Sequence, residues 1–219
     1  MIKDNVAAVL KDLPPGVVLV AAAKTRTPEE ILEVVEAGVT VVGHNYVQEA
    51  ERAAAAVGQA VKWHMIGHLQ SNKAKKAASI FDMVETVDSL KLARALNKAS
   101  GEAGKIMDVL IEVNIAEEEQ KAGVMPGDVM SIARGVAEFP SLSLRGLMTM
   151  GPFVGDPEML RPYFRRAREL FEVLAGEAPN GAVIDCLSMG MSDSYRVAVE
   201  EGATMVRLGT TLFGPRQYQ

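Results

Sequence analysis

The 219-residue chain is 48% hydrophobic and 23% charged, the balance of an ordinary globular domain with apolar material for one large core, which excludes a disordered or low-complexity protein. A net charge of −5 excludes general attraction to nucleic acid or anionic membrane, and no run of about 18 apolar residues is present to span a bilayer. The single cysteine, Cys186, excludes an intramolecular disulfide, and the opening Met1-Ile-Lys-Asp-Asn is too charged for a signal peptide, so a cytoplasmic protein is expected.

Ile2, Val6, Val9, Leu10 and Leu13 trace one face of a helix that Pro14-Pro15-Gly16 ends. Next comes Val17-Val-Leu-Val-Ala-Ala-Ala, an uninterrupted apolar run that marks a strand covered on both faces and leads straight into Lys24. Thr27-Pro28-Glu29-Glu30 is a capping box with proline at the first helical position, and the helix it starts stops at Gly38. A strand at 39–43 and a helix over 46–57 follow. The alternation continues with strands at 61–66, 81–85, 106–114, 142–148, 183–187 and 204–208, separated by helices over 71–78, 89–99, 126–136, 158–174 and 193–201. Gly38 and Gly202 both open a Gly-x-Thr-x-Val junction from helix to strand. Eight strand–helix units with one extra N-terminal helix predict an α/β fold, a single (β/α)8 TIM-type barrel domain over residues 1–219. An open doubly wound sheet competes, although no Gly-x-Gly-x-x-Gly follows the first strand to support its nucleotide-binding form.

Barrel active sites lie at the C-terminal ends of the strands, with phosphate often held after strands seven and eight. By alternation Val18, Val20, Ala22 and Lys24 share a face. A partly desolvated amine ending such a face keeps a nucleophilic fraction, as a Schiff-base lysine requires, whereas a lysine that merely caps the strand would snorkel to water. The turns Ser188-Met189-Gly190-Met191-Ser192 and Gly209-Thr210-Thr211 offer N–H groups and hydroxyls for an anion, with Ser192 as the expected cap of the next helix; each is also an ordinary turn composition. Arg207 alternates with Val206 and Leu208 and points into the barrel if those two face the helices, either as a cofactor partner or as a structural ion pair. Asn45 follows strand two, either near a ring substituent or as a cap. His64 and His68 sit on a strand and its turn, so the helical zinc spacing does not apply and no metal is expected.

Ala22-Ala-Lys24-Thr25, Gly43-His-Asn45-Tyr-Val-Gln-Glu49, Trp63-His-Met-Ile-Gly-His68-Leu-Gln-Ser-Asn-Lys73, Leu187-Ser-Met-Gly-Met-Ser-x-Asp193 and Val206-Arg-Leu-Gly-Thr210 through Phe213-Gly214 together resemble the YggS/PROSC family of pyridoxal phosphate homeostasis proteins, nearly end to end. The resemblance implies a fold similar to the barrel domain of alanine racemase and pyridoxal 5′-phosphate as cofactor, held as an aldimine on Lys24. It further implies that Asn45 lies near the ring, that Arg207 faces the pyridine nitrogen, that Ser188, Gly209 and Thr210 hold the phosphate, and that Met189 is a further cofactor-binding residue. Glutamate is usual in the family where this chain has His44, so a role for that carboxylate does not carry over.

An arginine at the ring nitrogen leaves it unprotonated and the electron sink weak. The expected function is thus intracellular vitamin B6 homeostasis, as a carrier or buffer that hands the cofactor to apo-enzymes without catalytic residues of its own, from a monomer or weak homodimer. A racemase-like enzyme is the alternative. In alanine racemase the second base is a tyrosine from a following β-rich domain. Residues 209–219 are too few for such a domain, Tyr46, Tyr163 and Tyr195 fall on predicted helices, and Tyr218 is terminal.

Overall fold

In a computed structural model that describes residues 1–215, eight parallel strands close in chain order into one barrel. They are β1 Val18–Ala22, β2 Val41–His44, β3 Lys62–Met65, β4 Met83–Val87, β5 Met107–Val113, β6 Leu142–Thr149, β7 Cys186–Ser188 and β8 Met205–Leu208. The helices are α1 Ile2–Asp12, α2 Pro28–Glu36, α3 Val47–Val57, α4 Ala74–Ile80, α5 Leu90–Glu102, α6 Val129–Ala137, α7 Arg161–Glu177, α8 Tyr195–Glu200 and α9 Thr210–Phe213. This is the expected (β/α)8 barrel with its N-terminal helix. Closure excludes the open sheet: β8 pairs with β1, Val18 opposite Met205 and Val20 opposite Arg207.

Local sequence explains the helix ends. Thr27 Oγ1 accepts from the Glu30 N–H while the Glu30 carboxylate accepts from the Thr27 N–H at 2.9 Å, the reciprocal capping box read from the sequence. Gly38 and Gly202, at φ 109° and 90°, close α2 and α8 with the same pair of bonds, Gly38 N–H to Val35 O with Val39 N–H to Val34 O, and Gly202 N–H to Val199 O with Ala203 N–H to Ala198 O. The shared Gly-x-Thr-x-Val pattern is therefore one helix-to-strand device used twice. The helix after β8 has only four residues, and α1 packs beside it to complete the outer layer, the Asn5 side-chain amide donating to the Leu212 carbonyl.

Between bulges, strand side chains sort by phase. Val20, Val41, Ile66, Met83, Leu110, Met148 and Met205 fill the barrel, while residues of the opposite phase, such as Leu19, Ala21, Val42, Trp63, Val206 and Leu208, pack under the helices. Several boundaries differ from expectation, among them those of three strands. β1 ends at Ala22, and the chain turns at Lys24 with Thr25 at φ 65°. β4 begins at Met83, because Phe81 instead caps α4 with its N–H on the Ala77 carbonyl. β7 begins at Cys186, which is where pairing with Gly146 of β6 starts, leaving Val183 exposed.

Candidate functional site at the barrel mouth

The inner phase decides what reaches the C-terminal mouth. Continued past the strand ends, it carries Lys24 after Ala22, Asn45 after Gly43, Gly190 after Ser188 and Gly209 after Arg207. Val206 and Leu208 face the helices and Met205 faces the barrel, which is the condition under which Arg207 points inward. Arg207 is 4% exposed. Its Nη1 donates to Ser188 Oγ at 2.6 Å and its Nη2 to the Thr149 carbonyl at 2.9 Å.

Below this guanidinium runs a buried polar chain. Ser188 Oγ donates to Glu85 Oε2 at 2.6 Å, the other oxygen of Glu85 lies 2.8 Å from His64 Nδ1, and Arg207 Nη1 stands 3.9 Å from the carboxylate. Burial pushes the Glu85 carboxyl up, but the bond and charge of His64, the charge of Arg207 and the Ser188 hydroxyl together hold it below the usual carboxylate range. Burial likewise lowers Arg207 from the ordinary guanidinium value, opposed by Glu85 and Glu112; an arginine stays charged at neutral pH nonetheless. The mouth thus contains a fixed cation with donors to spare.

Ser188 therefore does not join an anion cup. Its one proton goes to Glu85 and the side chain is fully buried, so it supports Arg207 instead. Met189 departs from expectation as well. It has the outer phase, packs in the sheet–helix core, and spends its N–H on the Met205 carbonyl. Ser192, expected as a helix cap, is displaced from that role because α8 starts later, with Ser194 at its cap position. Ser192 Oγ instead accepts from the N–H groups of Gly209 and Thr211 at 3.2 and 3.3 Å. Two backbone donors from the loop after β8 thus converge on one oxygen supplied by the loop after β7, an arrangement suited to an anionic oxygen. Thr210 is exposed at the same turn, its side chain open to solvent.

On the opposite side of β1, Lys24 Nζ lies 5.4 Å from the ring centre of Tyr46. Asn45 is half-buried, its backbone so close to Gly67 that a Cβ there would overlap the Asn45 carbonyl oxygen region at 2.5 Å. Asn45 also lines a cavity of about 580 Å³ that opens toward the loops after β3, β5 and β6. Lys24, Arg207 and Gly209 are not among its walls. Lys24, Asn45, Arg207, Gly209 and Thr210 are thus gathered around the mouth, whereas Ser188 lies beneath it and Met189 outside the barrel. Sequence reading passed over Glu85 and Glu112 and weighed His64 only as a metal ligand. Their signal was a charged residue inside an otherwise apolar strand, as in Met83-Val-Glu85-Thr-Val87 and Leu110-Ile-Glu112-Val113. Among the described residues no group of three or more His, Cys, Asp or Glu side chains is arranged to hold a metal.

A closed parallel barrel with a lysine, a buried arginine and two converging backbone donors at one mouth defines a barrel of the alanine racemase type, and the family model described as "Alanine racemase, N-terminal domain" matches residues 1–217. The chain belongs to the family of pyridoxal phosphate homeostasis proteins. It is 40% identical over 206 residues to the pyridoxal phosphate homeostasis protein of Pasteurella multocida, covering 93% of this chain and 88% of that one, and 39% identical over 209 residues to that of Escherichia coli K12. The structure of PipY from Synechococcus elongatus with pyridoxal phosphate bound superposes with a TM-score of 0.90 at 34% identity, over 98% of this chain and 100% of that one.

Proposed function

We propose that the chain holds pyridoxal 5′-phosphate at the barrel mouth through a Schiff base to Lys24 and serves vitamin B6 homeostasis in the cytoplasm as a carrier or buffer without turnover. The observation that carries this reading is the convergence at one mouth of an amine, a buried guanidinium and a two-donor anion cup. When bound, the cofactor supplies a reactive aldehyde and a conjugated ring that withdraws electrons. Lys24 is the residue that takes the aldehyde. Gly209 and Thr211 direct their N–H groups to the Ser192 hydroxyl, and a phosphate oxygen would take the place of that hydroxyl as their acceptor, with Thr210 beside them. Arg207, braced by Ser188, Glu85 and the Thr149 carbonyl, presents donors to an unprotonated ring nitrogen. Asn45 would lie near the ring. The cofactor reading is supported by the PipY structure, which contains pyridoxal phosphate.

Residues 1–219 act in this reading as one domain, a monomer or weak homodimer, delivering cofactor to apo-enzymes that depend on it. Borohydride reduction of the loaded protein followed by peptide mapping tests the assignment. The pyridoxyl group is expected on Lys24 and is lost in Lys24→Ala; label on another lysine overturns it.

A further inference from the structure

The cavity beside the mouth contains one feature that the cofactor reading leaves unexplained. Glu112, of the inner phase of β5, is 5% exposed, lines the cavity, and has an Oε2 with no hydrogen-bond partner among the described residues. A buried carboxyl oxygen left without a donor carries the full penalty of its lost hydration, so such a group is retained where something else satisfies it. The neighbouring charges leave it unmatched. Lys121 is tied to Glu118 at 2.6 Å and His68 faces Asp88 at 3.4 Å, while Asp193 adds a further negative group to the wall and no arginine lines it. Burial and Asp88 push the Glu112 carboxyl above its usual value, with Arg207 and His68 acting in the other direction. The rim is apolar. Phe153 is wholly exposed, Met150 and Met191 are 42% and 46% exposed, and all three line the cavity.

We infer that this cavity is a binding site for a cationic amine with an apolar body, its N–H donated to Glu112 and its hydrocarbon part covered by Met150, Phe153 and Met191. A buried carboxyl gains a charge-assisted hydrogen bond from an ammonium, and unpacked apolar side chains gain cover from a hydrocarbon. A carboxylate-bearing ligand is disfavoured, since the walls hold no free cation to receive it. The site adjoins the proposed cofactor position through Asn45 but does not depend on it.

N,N-dimethylbenzylamine, a tertiary amine that cannot form a Schiff base, is the probe. It is titrated calorimetrically near neutral pH into the full chain, both stripped of and loaded with pyridoxal phosphate, and phenylacetate serves as the anionic counterpart. The amine is expected to bind both forms, phenylacetate neither, and Glu112→Gln is expected to weaken the amine about tenfold or more. Equal amine affinity in wild type and a folded Glu112→Gln overturns the inference, and so does phenylacetate binding as tightly as the amine, a comparison that needs no variant. Displacement of the amine by pyridoxal phosphate also overturns it, because the cavity is then the cofactor's own. If the chain takes up no pyridoxal phosphate the carrier reading fails, while titration of the stripped chain still decides the amine site.

Discussion

His44, where the resembled family usually has glutamate, is 1% exposed, stacks on Trp63 with ring centroids 5.8 Å apart, and has no hydrogen bond at either nitrogen. It has the outer phase of β2, so it belongs to the sheet–helix core, with Glu49 3.9 Å from Nδ1 as its nearest charge. Burial depresses its pKa to about 4. In the unfolded chain the imidazole takes up a proton near its ordinary pKa of about 6.5. As the pH falls below that value, the unfolded state gains a proton that the folded state refuses. The stability present above about pH 6.5 is therefore lost progressively down to about pH 4, with a slope approaching about 1.4 kcal/mol per pH unit. Replacing the imidazole by a ring that cannot titrate, His44→Phe, is expected to flatten this loss. Urea midpoints near pH 7 and near pH 5 measure it, and an identical pH slope in wild type and variant would remove His44 as the source.

The behaviour of single strands explains why the inner phase reaches the mouth intact on β6. Leu142 and Leu144 face the helices, and simple alternation would send Met148 the same way. A bulge between Leu144 and Gly146, which pair with Val109 and Leu110 of β5, inserts one residue and reverses the phase. Leu147 then faces the helices and Met148 the barrel, and the Thr149 carbonyl meets Arg207. Gly146 makes this possible at φ 146°, where an added Cβ would overlap the Cys186 carbonyl oxygen of β7. Gly146→Ala combines backbone strain with overpacking and is expected to destabilise by about 2 kcal/mol or more. Chemical denaturation should show a lower midpoint at unchanged denaturant slope; a shift under about 0.5 kcal/mol, the ordinary range of surface substitutions, would mean that the bulge relaxes freely. Alternation and capping made β1, β8 and α2 legible in the sequence. A one-residue bulge leaves no comparable mark, since Arg145-Gly146 reads equally well as a continuing strand.

For the barrel as a whole, closure brings residues from every part of the chain to one end, and their identity bears on turnover. Two-base racemisation needs an acid and a base on opposite faces of the reacting carbon. Among the described tyrosines, Tyr46 lies against Lys24 itself, Tyr195 donates to Asp12 at 2.6 Å, and Tyr163 packs on the outer core; Tyr218 lies outside the described residues. In the proposed reading a cationic Arg207 would meet the ring nitrogen in place of a carboxylate that protonates it, which would further weaken carbanion chemistry. The loaded protein incubated with L-alanine in D₂O is expected to form no D-alanine at an enzymatic rate. Accumulation at about 1 s⁻¹ or faster, within the ordinary range of turnover, would replace the carrier reading by the racemase-like one.

By itself the sequence determined the eight-unit alternation, the N-terminal helix, the amine just past β1 and the alternation of Arg207 with Val206 and Leu208 on β8, because each follows from periodicity and turn chemistry within a few neighbouring residues; that Arg207 points inward was decided by the packing of those two neighbours under the helices. Only the tertiary structure decided which polar groups satisfy one another. Ser188 and Glu85 are 103 residues apart, and nothing local to either indicates that the hydroxyl is committed to that carboxylate rather than to an anion. The same holds for Ser192 with Gly209 and Thr211, and for Glu112, whose isolation is a property of the closed barrel. Within an unbulged strand periodicity fixes the face a side chain occupies, whereas its partner is set by strand order and register, which come into being only when the ring of strands closes.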